Sequence, residues 1–239
     1  FYRFNPMAGL TYKFGEGLSA YGGYSEANRA PTPAELACAD PERPCILENF
    51  LVSDPPLNQV VARTVEAGLR GEFNTGFAAE SARIGWSLGY FRTETTDDIF
   101  TVASPIQGRG YFLNAGGILR EGLEAQVDYR SDRLFMYAGY AFIDATFQDA
   151  IELASPDNPL STPCSDFVPE DPQDEAPGCV AIQPGDQVPL SPRHRFKFGF
   201  DYFVTKEWKV GADLVATSQQ CFRGDEGNDD SPVSVYSVM

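Results

Sequence analysis

The prolines of this chain are segregated, and their segregation constrains the fold more than any single motif does. Fourteen of the 18 prolines fall in two stretches, Arg29 to Gln59 and Asp149 to Ser191. The rest of the chain reads as strands with alternating side chains that are joined by very short turns. Such a chain combines tight hairpins with long excursions, and a soluble β-sandwich has no need for that combination.

The strands alternate apolar and polar side chains with a period of two residues, which is the period of a β-strand. In the clearest strand, Arg195 to Val204, the apolar face carries Phe196, Phe198, Phe200 and Tyr202. The opposite face carries Arg195, Lys197, Gly199 and Asp201. The same alternation recurs in residues 64–70, 84–94 and 123–130. One face therefore suits an apolar environment and the other suits water.

Short turns and long excursions follow one another in a regular order. The turns lie at Gly15 to Gly17, Asn74 to Ser81, Ser131 to Arg133 and Lys206 to Glu207. The excursions lie at Arg29 to Gln59, Ala103 to Gly110, Asp149 to Ser191 and Gly224 to Ser231. This order is typical of an antiparallel transmembrane β-barrel, with short periplasmic turns and long extracellular loops.

The spacing predicts nine strands, near residues 5–14, 18–28, 60–73, 82–102, 110–130, 134–148, 192–205, 208–223 and 232–239. Bacterial single-chain barrels close with an even number of strands. We therefore expect the chain to be part of a larger barrel.

Composition is compatible with the barrel and also with an ordinary soluble β protein. The chain is 43% hydrophobic with a mean hydropathy of −0.26. A strand that faces lipid on one side and water on the other combines apolar and polar side chains, so its mean hydropathy is also moderate. No apolar run approaches the roughly 18 residues of a transmembrane helix.

The formal net charge of −16 makes nucleic acid an unsuitable partner, because an acidic surface repels phosphate. Asp149 to Ser191 alone holds nine carboxylates and no Lys or Arg. A solvated outer loop explains this acidity. A divalent-cation site is the alternative, since carboxylates are ligands for Ca²⁺, although the spacing matches no defined calcium loop.

The five cysteines suggest two local disulfides, each within one excursion. Cys38 and Cys45 lie in the first proline-rich stretch, whereas Cys164 and Cys179 lie in the second. Local disulfides imply an oxidising compartment. Zinc is the alternative, but the chain has a single histidine and these spacings are unusual for zinc. We expect the fifth cysteine, Cys221, to be a thiol packed at the end of a strand.

A series of short motifs resembles the barrel of TonB-dependent receptors, the energised uptake proteins of Gram-negative outer membranes. The motifs are Asn28-Arg-Ala-Pro-Thr32, Glu66-Ala-Gly-Leu-Arg70, Asn114-Ala-Gly-Gly117, Glu121-Gly-Leu-Glu124, Pro192-Arg-His-Arg195 and Arg223-Gly-Asp-Glu-Gly-Asn228. The resemblance covers essentially the whole chain and depends on the order of the series.

The resemblance implies a 22-stranded barrel filled by an N-terminal plug, with a segment that contacts the TonB complex ahead of the plug. The chain would then be a partial barrel domain over residues 1–239 that lacks the plug and the last strands. It would belong to a monomeric receptor in outer-membrane lipid that takes up a ferric siderophore, a similar metal chelate, a cobalamin-like ligand or a saccharide. A passive porin or structural barrel, and a secreted β-rich adhesin, are the alternatives.

If this part of the barrel contacts ligand, the candidate residues are the outward polar and aromatic groups Arg109, Tyr111, Arg223 and Asp225. Loop packing and inter-loop pairing are the alternative, and simpler, explanation of the same four residues. The sequence contains no catalytic motif or phosphate-binding glycine loop, so we expect no enzyme, no cofactor and no resident metal. Asp97 and Asp98 are neighbours along a strand, so their side chains point to opposite faces and cannot act as an acid/base pair.

Overall fold

The structure is a computed structural model of the chain. It describes residues 2–37, 57–75, 82–103, 110–155, 158–165, 176–221, 227 and 236–238. Over these residues the architecture is antiparallel β with one short helix, and the all-β prediction is confirmed.

One large sheet, which we call the wall, dominates the described part of the chain. Its nine strands lie in the order β1, β2, β3, β4, β7, β8, β12, β13, β14, and each pairs antiparallel with the next. The strands are β1 (Met7–Gly15), β2 (Leu18–Arg29), β3 (Val60–Thr75), β4 (Ala82–Thr96), β7 (Ile118–Arg130), β8 (Leu134–Phe147), β12 (His194–Phe203), β13 (Lys209–Thr217) and β14 (Tyr236–Val238). The 22-strand total of a closed barrel stays a prediction.

Two smaller sheets lie between strands of the large one. A hairpin joins β5 (Ile99–Ala103) and β6 (Gly110–Asn114), and a three-stranded sheet contains β9 (Ile151–Ala154), β10 (Thr162–Pro163) and β11 (Gly178–Ile182). The sequence predicted continuous strands over 82–102 and 110–130, which was wrong: each splits into a wall strand and a hairpin strand. Residues 149–191 were predicted as a loop, yet they contain a sheet.

The single described helix, α1 (Pro33–Ala37), follows β2. The Thr32 hydroxyl accepts a hydrogen bond from the Glu35 amide at 3.2 Å, and the Glu35 carboxylate accepts one from the Thr32 amide at 2.6 Å. This reciprocal pair is a capping box, and proline suits the first helical position that follows it. The sequence analysis missed this helix, although the pattern Thr-Pro-Ala-Glu is visible in residues 32–35.

The apolar face of the large sheet is exposed. Cross-strand register places Leu69, Leu88 and Ala125 side by side on this face. The row continues with Tyr140 on β8, opposite Ala125, and with Phe196 on β12, opposite Tyr140. Large apolar side chains remain open on it, including Leu10 at 75% exposure and Val210 at 57%. Soluble monomers rarely expose apolar patches of this extent, so the face calls for an apolar solvent or partner.

The opposite, polar face carries hydrogen-bonded and charged side chains along the same strands. The Tyr137 hydroxyl donates to Asp213 at 2.7 Å, Lys209 pairs with Asp201 at 3.1 Å, and the Arg70 guanidinium lies 5.6 Å from the centre of the Tyr21 ring. Each strand therefore separates an apolar side from a polar side, as the alternation predicted.

Short connections close one end of the sheet. Gly17, in the turn between β1 and β2, adopts a positive φ of 91°, and a Cβ there would collide with the Glu72 carbonyl. Its own carbonyl accepts the Glu72 amide at 2.8 Å. Glycine is required at this turn because it tolerates both the backbone angle and the close approach of β3. The long excursions all leave from the other end, which we call the outward end.

Close packing on the polar face predicts a difference between two glycines. A Cβ at Gly122 would collide with the Phe142 carbonyl oxygen and approach the Phe91 ring, whereas a Cβ at Gly139 would meet only the Ala125 carbonyl oxygen at 4.0 Å. We expect Gly122→Ala to destabilise the barrel by about 1 to 3 kcal/mol, since a backbone carbonyl cannot move aside cheaply.

The matched control is Gly139→Ala, a substitution on the same face of the neighbouring strand, which we expect to change stability by less than about 1 kcal/mol. The measurement is urea unfolding of the full-length protein in detergent, monitored by heat-modifiable mobility on a gel. Equal stability losses in the two variants would contradict this account of the wall.

Candidate functional site

The candidate site is the outward loop assembly, which we define as the described parts of residues 97–117 and 148–193. It comprises the β5–β6 hairpin, the β9–β10–β11 sheet and the segment that re-enters the wall before β12. These elements pack on Ile118, Ala145 and Phe147. Those three residues share the polar face by alternation, because Ile118 is opposite Phe147 and lies in register with Gln126 along β7.

A hydrophobic core holds the assembly together. Its buried members are Val102, Ile118, Ala145, Phe147, Leu153, Val180, Ile182 and Val188. Phe147 and Ile182 are completely buried, and the Phe100 ring lies 5.5 Å from the Phe147 ring. Full burial of each large side chain contributes about 1.5 to 3 kcal/mol. The hairpin, the small sheet and the wall therefore form one packed unit at the outward end.

The re-entering segment is also tied to β8 by backbone hydrogen bonds. The Phe147 amide donates to the Asp186 carbonyl at 2.9 Å, the Gly185 amide donates to the Phe147 carbonyl at 2.9 Å, and the Val188 amide donates to the Ala145 carbonyl at 2.9 Å. These bonds continue the ladder of β8 beyond the start of β12. The wall strand and the loop assembly consequently share a hydrogen-bonded edge.

A polar junction fixes the angle between the wall and the hairpin. The Asn114 amide group donates to the Asp97 carbonyl at 2.7 Å and to the Asn58 carbonyl at 3.3 Å, and its oxygen accepts the Asn58 amide at 2.8 Å. Asp97 has a positive φ of 56° and also accepts from the Asn58 side chain at 3.2 Å. The chain therefore turns at Asp97, which is where the predicted continuous strand ends.

The carboxylates next to this junction have separate partners. Asp98 pairs with Arg120 at 3.0 Å, and Asp149 accepts the Gly117 amide at 2.6 Å. The sequence analysis placed Asp97 and Asp98 along a strand, which was wrong: both lie between β4 and β5, and they make different contacts. The acidic groups described at this site hold loops in place by accepting hydrogen bonds.

A disulfide between Cys164 and Cys179 joins β11 to the residue after β10, with Cα atoms 4.9 Å apart. The Cys164 amide also donates to the Pro177 carbonyl at 3.0 Å. In the chain-entropy account, a bridge across about 15 residues stabilises a fold by roughly 3 kcal/mol. The bond therefore secures the edge of the small sheet, far along the second excursion.

The other cysteine predictions have different outcomes. Cys38 and Cys45 lie outside the described residues, so their pairing stays a prediction. Cys221 is a buried thiol at the end of the β13 region, and its carbonyl accepts the Leu190 amide at 3.0 Å.

Of the four candidate ligand contacts, the structure describes Tyr111 alone. Arg109, Arg223 and Asp225 lie outside the described residues. Tyr111 lies on β6, opposite Val102, and packs against the core of the assembly. Burial raises the pKa of its phenol above the ordinary value, so the side chain is a neutral hydrogen-bonding aromatic at physiological pH.

Glu35 at α1 is a second polar group of the outward end, and the sequence analysis did not single it out. Burial tends to raise its pKa, but the hydrogen bonds from Arg29, at 2.6 Å, and from Thr32 outweigh burial and hold the pKa of Glu35 below its ordinary value. The carboxylate is therefore charged at neutral pH and anchors the start of α1.

His194, the single histidine, lies on the apolar face of β12. Its Nδ1 is 2.8 Å from the Tyr140 hydroxyl, and its ring is 5.3 Å from the Phe142 ring. In the described part of the chain, no group of three or more His, Cys, Asp or Glu side chains could hold a metal ion. A search of the same residues finds no helix that is long and apolar enough to cross a membrane.

Comparison with known proteins identifies the family. The profile described as TonB dependent receptor-like, beta-barrel, matches residues 1–238. The chain belongs to the TonB-dependent receptor family. This family consists of transport receptors of Gram-negative outer membranes. In barrels of this family the apolar face meets lipid and the polar face lines the lumen, so we name the two faces of the wall the lipid-facing side and the lumen side.

Solved structures share the fold of this chain. The hemophore receptor HasR of Serratia marcescens, in complex with its hemophore HasA and heme, has a TM-score of 0.58 at 14% identity, covering 98% of this chain and 33% of HasR. The ferric enterobactin receptor PfeA of Pseudomonas aeruginosa, in complex with enterobactin, has a TM-score of 0.56 at 16% identity, with 98% and 31% covered. The siderophore receptor PirA of Acinetobacter baumannii gives 0.56 at 14% identity, with 98% and 33% covered.

The chain thus spans about a third of the length of these receptors. At such low identity the comparison shows the fold alone. No curated protein matches the chain significantly.

The junction at Asn114 generates a testable expectation. Asn114→Asp replaces the donating amide group with a carboxylate oxygen that faces the Asp97 and Asn58 carbonyls. We expect the protection of the β5–β6 amides against hydrogen exchange to fall about tenfold or more, because losing hydrogen-bond partners costs about 1 to 3 kcal/mol. Exchange is measured by mass spectrometry on the full-length receptor.

Asn5→Asp is the matched control, since Asn5 donates to Asn28 at an exposed position of the wall. We expect the hairpin amides of that variant to exchange at the wild-type rate. Unchanged protection of the hairpin in Asn114→Asp would show that Asn114 does not fix its position.

Proposed function

We propose that the chain is part of the barrel of an outer-membrane receptor that takes up a ferric siderophore or a similar bulky metal chelate by TonB-driven active transport. The observation that carries the proposal is the position of the outward loop assembly. It packs on the lumen-facing side of β7 and β8, through Ile118, Ala145 and Phe147, and so would narrow the outward mouth of the completed barrel on this side.

A narrowed mouth favours a receptor over a general pore. The assembly has a buried apolar core, a hydrogen-bonded edge with β8 and the Cys164–Cys179 disulfide. A stiff, ordered surface loses less conformational entropy when a ligand binds, which favours capture of a scarce ligand. An unrestricted diffusion channel would gain nothing from these anchors.

We propose Tyr111 of this surface, together with Arg109, Arg223 and Asp225 of the excursions, as ligand contacts. Tyr111 supports the choice by its position on the hairpin and by a neutral phenol that can both stack on a ligand and hydrogen-bond to it. The other three are assigned from their positions in the excursions. A chelate with planar or polar groups would suit such a mixture of aromatic and charged side chains.

Ligands of similar receptors support the metal-chelate class. HasR was solved with a hemophore and heme, and PfeA was solved with enterobactin. Cobalamin-like ligands belong to the same broad class of bulky metal complexes.

The rest of the receptor is also part of the proposal. The chain would be a partial barrel domain, completed by further strands, by a plug inside the lumen and by a segment that contacts the TonB complex. The receptor would be a monomer without enzymatic activity. The polar lumen wall, with Lys209, Asp201, Tyr137 and Asp213 forming hydrogen-bonded pairs, would be the surface that meets the plug.

The test is uptake by cells that carry the full-length gene. Labelled ferric siderophores, heme and cobalamin are supplied with and without a proton gradient. We expect accumulation of one class of chelate that stops when the gradient is dissipated. Leakage of many small solutes, independent of the gradient, would instead identify a passive porin and overturn the proposal.

A further inference from the structure

A row of charged side chains runs along the lipid-facing side of the wall at its outward end. Cross-strand register places Glu26, Arg63 and Glu94 side by side on β2, β3 and β4. Two residues along β4 from Glu94, away from the outward end, the register places Arg92, Glu121 and Asp144 side by side on β4, β7 and β8. We call these six residues, with the flanking Arg3 and Arg193, the outer charged row.

The row lies directly beyond the apolar part of the same face. Tyr90 lies on the same face of β4, two residues from Arg92, and Leu88 lies two residues beyond Tyr90. Their neighbours on β7 are Leu123 and Ala125. Because a charge on the lipid side of a barrel strand is disfavoured increasingly with depth, the hydrocarbon must end between Tyr90 and Arg92. The outer charged row therefore lies at the level of the lipid headgroups.

The side chains of the row pair with one another incompletely. Arg92 is well satisfied, with contacts of 2.9 Å to Glu94 and 3.2 Å to Glu121. Arg63 approaches Glu26 only to 3.8 Å, which is beyond hydrogen-bond distance, and Arg193 contacts Asp144 through Nε at 3.0 Å. Since a guanidinium has five N–H donors, these contacts leave donors of Arg63 and Arg193 for another partner. Their side chains are 43% and 46% exposed.

All four cations of the row are arginine. The fork of N–H groups in arginine fits phosphate with two parallel hydrogen bonds, which the single ammonium of lysine cannot provide. The loop segments are strongly acidic by comparison: residues 30–59, 97–117, 148–192 and 218–235 contain 20 of the 34 carboxylates and three of the 18 basic residues. The row itself holds four arginines and four carboxylates, so at the outward end an anionic partner meets a neutral surface at the row and a strongly acidic one at the loops.

Interleaved carboxylates narrow the class of partner further. Glu94, Glu121 and Asp144 are each partly exposed within the row. A carboxylate beside a bare phosphate is unfavourable, but it accepts hydrogen bonds from hydroxyl groups readily. A headgroup that carries both phosphate and sugar hydroxyls satisfies the arginines and the carboxylates together.

We propose that the outer charged row binds a phosphorylated glycolipid headgroup of the outward leaflet, with Arg63 and Arg193 as the phosphate ligands. This inference rests on the outer-membrane location in the proposed function. It adds a lipid-binding surface on the outside of the wall, separate from the lumen and from the outward loop assembly. Binding there would fix the height of the barrel in the membrane.

The test measures glycolipid that is retained by the purified full-length receptor, by native mass spectrometry after exchange into a mild detergent. Phosphorylated glycolipid is added back at a series of concentrations. We expect the double variant Arg63→Gln, Arg193→Gln to bind it about tenfold or more weakly than wild type, because charge-assisted hydrogen bonds are lost. The control Arg83→Gln removes an exposed arginine that is ion-paired to Glu72 on the lumen side, and it should bind as wild type.

A second arm requires no variant and so does not depend on folding of the substituted protein. Wild-type receptor is titrated with the same glycolipid after enzymatic removal of its phosphates, and with a phospholipid that has no sugar. We expect both to bind about tenfold or more weakly than the phosphorylated glycolipid. Equal binding of the dephosphorylated lipid, equal binding of the phospholipid, or wild-type affinity of the double variant would each overturn the proposal. Gradient-dependent uptake is measured separately, so failure of the transport function is distinguishable from failure of lipid binding.

Discussion

The structure depends on one constraint: a strand in a bilayer must satisfy its backbone within the sheet while its side chains serve two environments. The wall meets the first part with antiparallel pairing of every neighbouring strand from β1 to β14. It meets the second part by strict alternation, which places Phe198 towards lipid and Lys197 and Gly199 towards the lumen. Because a shift of one residue would exchange the two faces of a strand, the register is strongly determined.

At the outward end the constraint is relaxed, and the fold changes accordingly. The lumen side of β7 and β8 becomes apolar at Ile118, Ala145 and Phe147, and these side chains support a separate core under the loops. On the lipid side, the same level of the wall becomes charged, from Glu26 across to Arg193. The proposed capture surface and the proposed lipid contact thus lie on opposite sides of the wall at the same level, where the strands leave the hydrocarbon.

The wall could be read from the sequence because alternation is a local property, as in residues 196–202. The outward end could not, because its structure depends on contacts between distant residues. The turn at Asp97 is fixed by Asn58 and Asn114, and strand-forming residues on both sides concealed it. In residues 149–191 the many prolines and carboxylates indicated a loop, and the strands Ile151–Ala154 and Gly178–Ile182 were too short to be recognised from their apolar residues. Of the predicted ligand contacts, the structure describes Tyr111 alone.

The measurement that tests the account most directly is the environment of consecutive residues along two wall strands. Spin labels are placed one at a time at positions 84–90 of β4 and 196–202 of β12 in the full-length receptor, reconstituted in lipid bilayers. Collision with dissolved oxygen reports lipid contact, and collision with a water-soluble nickel chelate reports aqueous contact. The account predicts a two-residue period, with oxygen maxima at Trp86, Leu88, Phe198 and Phe200. Strands without this period, or with equal nickel access on both faces, would contradict it.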